Sequence, residues 1–333
     1  MNSRTVRLNN IFGRTKEMDI LSQVSVVVCT KDRPTHLKEC LRSIVTTDWP
    51  CKELIVVDSS TDSTTKRINE SFVNQLGGKY YYESKKGLSA ARNRGIRESS
   101  GNIIVFADDD FIVQKGWITH LVAHYKNPDV ACCTGRMLPY RSDAISQLFE
   151  ESLSFDKGTK RRFFSKKDIS LRALLNAAIR ASLGRKRLGG DAPVPWAIGN
   201  GYFSLRKTVL YKVGYFYEDL GIGTPSLGGE EIEMFYRILK SGYQIVYEPK
   251  GVILHNHRQT YDEVLKAAYN AGASERAFLR KYYYKSFYVA SLLIAILILR
   301  ILTWLRTSFN SKPELTYVEY MKLKGFFHKP RIS

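Results

Sequence analysis

The sequence predicts an α/β fold, a doubly wound and mostly parallel sheet followed by a helical tail. Three observations carry that expectation. Strand-length apolar runs end near residues 29, 58 and 108, and segments with helical spacing separate them. Strand–helix alternation of this kind builds parallel sheets. The runs are continuously apolar rather than alternating, as strands covered on both faces are. Each run also ends in polar or acidic residues, and open α/β sheets bind ligands beyond the carboxyl ends of their strands.

The elements follow in order. Residues 1–22 are polar and weakly patterned, an arm outside the body. VSVVVC (24–29) is the first strand, and Pro34 is placed to open a helix in which Leu37, Cys40, Leu41, Ile44 and Val45 share a face. ELIVVD (53–58) is a second buried strand ending in Asp58. Residues 59–62 read as a loop and cap, with a polar helix to about Asn74. A short strand at 80–82 precedes a loop at 87–95 that runs into a helix. NIIVFADDD (102–110) is a strand ending in three carboxylates. ACCTG (131–135) is a further strand candidate. An apolar helix spans 169–183 and bears Arg172 and Arg180. Pro193, Pro195, Gly199 and Gly201 mark a loop, before a strand at 203–205 and a short helix at 206–213. GIGTPSLGG (221–229) reads as a flexible loop. EEIEMFYRILKSG (230–242) is a helix with acids in its first turn and Gly242 as its stop. YQIVYE and VILH are two more strand candidates.

The chain has 333 residues, enough for one large or two small domains, and a formal net charge of +19. Such a charge invites nucleic acid or an anionic membrane as partner. Its distribution decides between them. Residues 157–187 carry a net +10 and residues 276–333 a net +9, so the rest of the chain is neutral. Neither basic segment contains a recognisable nucleic-acid motif, which argues against nucleic acid. The five cysteines (Cys29, Cys40, Cys51, Cys132, Cys133) form no CxxC and no metal spacing with histidine. They read as small core residues in a reducing, intracellular compartment. The N-terminal residues MNSRTVRLNN lack the apolar stretch of a secretory leader.

The chemistry lies in the acids that the net charge conceals. Asp108, Asp109 and Asp110 repel one another unless a cation joins them. Hard oxygen ligands suit Mg²⁺ or Mn²⁺, and Mg²⁺ commonly binds through one or two carboxylates plus substrate phosphates. The bland alternative is a solvated acidic turn. Thr30, Asp32 and Asp58 share the same strand-end crevice. Glu230, Glu231 and Glu233 open a helix after a glycine-rich loop, which suits a general base closing onto substrate or simply complements the helix dipole. His255 and His257 lie two apart after an apolar strand and so face the same side, where an imidazole is available to a metal or is only a satisfied surface group.

Together VSVVVCTKDRP, ELIVVDSSTDST, KGLSAARNRGI, IIVFADDD, GNGYFSLRK, GGEEIEMFYRILKSGYQIVYEP and HNHR resemble a family 2 glycosyltransferase of the GT-A fold over about residues 22–260, with 157–187 an insertion. The resemblance implies a nucleotide-diphosphate sugar donor, a divalent cation (Mn²⁺ or Mg²⁺) and inversion at the anomeric centre. It places Thr30, Asp32 and Asp58 around the nucleotide base and Arg92 near the base or phosphates. Asp108 faces the ribose, Asp109 belongs to the same donor-binding turn, and Asp110 binds the metal with His255 beside it. Glu231 falls where the family has an aspartate base. The sequence reads Glu-Glu there, so Glu230 competes for that role.

The implied organisation is a nucleotide-sugar-binding half (23–113), an acceptor half (114–260) and C-terminal helices (261–333). The segment 287–305 contains 19 residues, about the length of a membrane span, with Arg300 interrupting it. A span, an in-plane helix and a buried core helix are the alternatives. The two basic segments point to an anionic cytoplasmic leaflet, and to a glycan or lipid-linked acceptor. The rival functions are nucleotidyl transfer, for which a glycine-rich triphosphate loop is lacking, and non-catalytic sugar-nucleotide binding.

Overall fold

Among the residues described in this computed structural model (24–47, 53–174, 176, 194–199, 201–256, 259–309 and 313–329), the central element is a nine-stranded sheet. The predicted arm at 1–22, Cys51, His257 and most of the helix expected at 169–183 lie outside these residues.

The continuous apolar runs form strands because both faces are covered. β1 (Val24–Thr30) sends Val24, Val26 and Val28 to one side and Val27 and Cys29 to the other. β2 (Glu53–Asp58) divides in the same way, with Leu54 and Val56 against Ile55 and Val57. On the first face pack α1 (Pro34–Thr46), α2 (Ser63–Gln75) and α4 (Trp117–Val122); on the second pack α3 (Leu88–Glu98) and α6 (Glu230–Lys240). Pro34 occupies the first turn of α1. Asp62 caps α2 by accepting from the Thr65 N–H.

The strand order is β3 (Lys79–Tyr82), β2, β1, β4 (Ile103–Asp108), β8 (Phe203–Arg206), β6 (Val130–Pro139), β9 (Gln244–His255), β5 (Phe111–Val113), with β7 (Arg162–Phe164) also on β9. The first four are parallel, as the strand–helix alternation predicts. β8 then joins antiparallel to both β4 and β6, so the whole sheet is mixed.

Three readings of the second half differ from the structure. The two strands expected around Pro249 are one, β9, because its register against β6 shifts between Glu248 and Val252. The proline, which has no N–H to donate, lies in that irregularity. Part of the basic insertion also belongs to the sheet, since Arg162–Phe164 pairs antiparallel with β9. The loop 221–229 is not loose. The Thr224 hydroxyl donates to the Gly221 carbonyl at 2.7 Å, the Ser226 hydroxyl to Gly228 at 2.9 Å, and the Leu88 N–H ties Ile222 to α3 at 2.9 Å.

Three helices follow the sheet: α7 (Tyr261–Tyr282), α8 (Phe287–Phe309) and α9 (Pro313–Phe326), while α5 (Ala144–Leu153) packs beside α7. α7 and α9 meet backbone to backbone at Gly272 and Gly325, where any side chain would overlap the facing main chain. α8 buries Tyr288, Val289, Leu292 and Ile296 against α6, α7 and α9. Its other side exposes Ile294, Ile298, Ile301, Leu302, Leu305 and Phe309. By length and composition α8 is able to cross a membrane.

Candidate active site

The parallel register sets three strand ends level. Thr30 lies opposite Asp58, and Cys29 opposite Asp108. Beyond β4 the chain turns through Asp109 and Asp110 into β5, whose Phe111 pairs with His255 of β9. This pairing, with the Asn256 N–H donating to the Asp110 carbonyl at 2.9 Å, brings the His255 ring to Asp110. Nε2 of His255 is 3.5 Å from Oδ1 of Asp110. Phe111 and Phe155 each meet the imidazole edge-on at 5.3 Å between ring centres, which fixes its plane.

Asp109 is held from β1. The Thr30 hydroxyl donates to it at 2.7 Å and Arg33 pairs with it at 3.0 Å. Burial first, and the adjacent Asp110 second, push its carboxyl up to about 7. Arg33 also reaches Asp110 at 3.2 Å. The sequence reading missed Arg33. The signal was available, because three acids on one strand end demand a cation, and an arginine follows the neighbouring strand directly.

Asp32 and Asp58 organise a loop. The Asp32 main chain takes a left-handed conformation (φ +55°). Its N–H donates to the Ser60 hydroxyl at 2.8 Å, and its carboxylate accepts from the Thr61 N–H at 2.8 Å. Asp58 is wholly buried and accepts from the Ser60 N–H, Asn69 and the Tyr80 hydroxyl at 2.7, 2.8 and 3.0 Å. These bonds fix residues 59–61, and Ser59 and Thr61 form the adjoining cavity wall.

Arg92 differs most from expectation. It is 1% exposed and faces carboxylates instead of open crevice. One end of its guanidinium pairs with Glu230 at 3.0 Å; the other pairs with Glu231 at 2.6 Å and Asp108 at 3.2 Å. Phe203, Phe216 and Phe106 surround it at 5.2, 5.8 and 6.0 Å. Burial works against the charged guanidinium, but Glu231, Asp108 and Glu230 more than offset it. Arg92 thus joins the end of β4 to the start of α6. Removing it would leave three acids without their shared cation. Arg92→Ala is expected to destabilise the fold by about 3–5 kcal/mol, as the loss of one partner of a buried ion pair does. Arg92→Lys should recover only part of this, because a single ammonium lacks the fork geometry to serve three carboxylates. Denaturant unfolding of both variants checks this, and a stability equal to wild type would remove Arg92 from this role.

Glu231 also accepts from the Gly201 N–H at 2.7 Å. Burial pushes its carboxyl up to about 7, with Glu230 and Asp108 adding to the rise and Arg92 opposing it. Gly229 caps α6 at φ +92°, a backbone that favours glycine and turns both glutamates toward the crevice. Glu233 instead belongs to the body, paired with Arg237 at 2.7 Å and accepting from the Tyr282 hydroxyl.

Asp108, Asp109, Asp110, His255, Glu230 and Glu231 line one cavity of about 1990 Å³, which runs from the β1 end to α8. For a divalent cation, the donors that converge are the carboxylate of Asp110 and the imidazole of His255. Mn²⁺ accepts both types. Among the described residues no cluster of three or more such side chains could hold a metal by itself. A cation here would take its remaining ligands from water or substrate phosphate, as Mg²⁺ typically does. The residues fit on those terms.

Residues 25–187 match the family profile "Glycosyl transferase family 2". That span, just under half of the chain, is a family 2 glycosyltransferase domain. This domain includes β1 to β7, Arg92 and the three aspartates, while Glu230, Glu231 and His255 lie beyond it. Among curated relatives, the pre-mycofactocin glycosyltransferase of Mycobacterium tuberculosis is 24% identical over 58% of this chain and 35% of its own length. The chain therefore spans about a third of that relative. The glucosyl-dolichyl phosphate glucuronosyltransferase of Haloferax volcanii is 22% identical over 76% of both chains. Among solved structures, the mannosyltransferase PcManGT of Pyrobaculum calidifontis, in complex with GDP-Man and Mn²⁺, aligns with a TM-score of 0.57 at 15% identity, covering 95% of this chain and 92% of that one. The likeness establishes the GT-A fold for this family 2 glycosyltransferase.

Proposed function

We propose that the protein is an inverting, metal-dependent glycosyltransferase that moves a sugar from a nucleotide-diphosphate donor to a hydroxyl of a glycan or lipid-linked acceptor. The observation that carries this reading is the Arg92 hub. It holds a strand-end aspartate and two helix-start glutamates in one cavity, with Asp110 and His255 beside them.

The donor half is residues 23–113, with the nucleotide base against the loop that Asp32 and Asp58 fix. Thr30 and Arg33 set Asp109 and the turn around it. Asp108 is the ribose contact, while Arg92 positions it from behind. Asp110 and His255 would hold a Mn²⁺ or Mg²⁺ ion. When bound, that ion neutralises charge on the departing diphosphate. Glu231 is the general base. It takes the proton of the acceptor hydroxyl as that oxygen forms its bond to the anomeric carbon, and the bond from that carbon to the diphosphate breaks with its electron pair leaving on the nucleotide. A single displacement inverts the centre and needs no protein nucleophile. Glu231 is preferred because it stands where the family has its aspartate base, and burial pushes its carboxyl up to about 7, near working pH, where a base is most effective.

The acceptor half is residues 114–260, and residues 261–333 supply the membrane contact. α8 is fixed along one side to the body, which favours a helix lying in the plane of the cytoplasmic membrane surface over a span. Exposed basic side chains of the segments 157–187 and 276–333, such as Lys166, Lys167 and Lys285, then meet anionic headgroups. The test is a panel of nucleotide sugars with Mn²⁺ or Mg²⁺, scored for release of the nucleotide diphosphate. Release with one donor, abolished by chelation, is expected. Tight donor binding with no turnover on any acceptor would favour a non-catalytic binder.

A further inference from the structure

We propose that the limb of the cavity walled by α8 binds the hydrocarbon chain of an acceptor that carries a phosphate near its head group. This rests on the transfer reading above and names the substrate class that its acceptor side takes.

Three observations support it. First, the cavity that contains Glu231 and Asp110 is continuous with one walled by Ala295, Ile298, Leu299 and Leu302 of α8. A sugar-only acceptor has no use for such a wall. Second, Ile298 and Leu302 line the cavity while remaining 50% and 54% exposed. These two residues therefore belong both to the cavity wall and to the outer apolar side of α8 that includes Ile294, Leu305 and Phe309. An amphiphile entering from a bilayer meets this apolar stripe of α8, beside the paired Arg300, Glu275 and Glu319 that also line the cavity. Third, the one charge between residues 287 and 305, Arg300, is drawn inward. It pairs with Glu275 of α7 and Glu319 of α9 on the cavity wall, which takes it off the outer face.

The head-group chemistry follows from the cations on the same cavity. Lys266 of α7 and Arg306 of α8 line it and are exposed. Lys157 lines it from within, 5% exposed, its ammonium donating to the Ser154 carbonyl at 2.7 Å. Acids line the same wall, among them Glu263, Glu275 and Glu319, and Arg300 pairs with the last two; the exposed Lys266 and Arg306 are the cations that favour a phosphate-bearing chain over a neutral lipid.

The experiment measures equilibrium binding of radiolabelled farnesyl phosphate to the full chain, below the concentration at which the lipid forms micelles. Farnesol and inorganic phosphate serve as separate probes. Saturable farnesyl phosphate binding is expected, with each half-molecule weaker by about tenfold or more. The double variant I298Q/L302Q, at half-exposed positions, should lose about tenfold in farnesyl phosphate affinity. Its circular dichroism and its Mn²⁺-dependent nucleotide diphosphate binding should be unchanged. K266Q/R306Q should weaken farnesyl phosphate but leave farnesol unaffected. Equal affinity of I298Q/L302Q and wild type overturns the proposal. So does farnesol binding as tightly as farnesyl phosphate, which would mark an apolar bilayer contact only. If the wild-type protein binds farnesyl phosphate but no nucleotide diphosphate, the transfer reading fails while the lipid site stands.

Discussion

Asp110→Ala is expected to abolish metal-dependent binding of the nucleotide diphosphate and to reduce transfer by about a thousandfold or more. The magnitude follows from what a divalent cation contributes to a departing diphosphate, several kcal/mol of charge stabilisation, at tenfold in rate per about 1.4 kcal/mol. The protein offers that cation few donors. Asp110 and His255 converge, and no larger cluster exists among the described residues. Losing the carboxylate leaves the imidazole of His255, which alone is a weak claim on Mn²⁺ or Mg²⁺. The fold should tolerate the change better than loss of Arg92 would be tolerated. Arg33 keeps its 3.0 Å partner in Asp109 when its second partner at 3.2 Å is removed. Titration of Mn²⁺ followed by electron paramagnetic resonance, with and without nucleotide diphosphate, reads the effect directly. Retained metal-dependent binding in a folded Asp110→Ala protein would move the cation site elsewhere.

The first half of the sheet was legible because its signal is local. Apolar strands such as Val24–Thr30 and Glu53–Asp58 are buried on both faces, so their composition alone reports the sheet, and parallel register then gathers their ends. The place of Asp108, Asp109 and Asp110 at a strand end was legible for the same reason. The second half was less legible because its pairings are long-range. Nothing near residue 203 announces that β8 will insert antiparallel between β4 and β6. Nothing near Pro249 announces that a register shift will carry one strand past it. Arg92 shows the same limit within the site. Its position in the sequence suggested a ligand contact, but three carboxylates from β4 and α6 enclose it, and two of them are 138 and 139 positions away in the chain. The loop 221–229 was misread because glycine content reports backbone freedom, whereas the Thr224 and Ser226 hydroxyls that remove this freedom act only once the loop has closed.

Glu231→Gln should lower kcat by about 10²–10⁴-fold, the usual contribution of a positioned general base, while leaving donor binding nearly intact. The substitution keeps size and hydrogen-bonding capacity, so the amide oxygen can still accept from the Gly201 N–H that holds Glu231 now. It removes the one property that the base requires, an exchangeable lone pair of carboxylate basicity. Glu230→Gln separates the two candidates. It should cost less, since Glu230 would then act through Arg92, at 3.0 Å, as a positioning residue. The pH profile is the second readout. Burial, with Glu230 and Asp108 nearby, raises the Glu231 carboxyl to about 7 against the pull of Arg92. The base form exists above that value, so kcat should fall tenfold per unit as pH drops below about 7, and should level off above it. In Glu231→Gln the residual rate should lose that acid limb. A wild-type profile flat down to pH 5, or the same acid limb persisting in the glutamine variant, would assign the proton transfer to a different group.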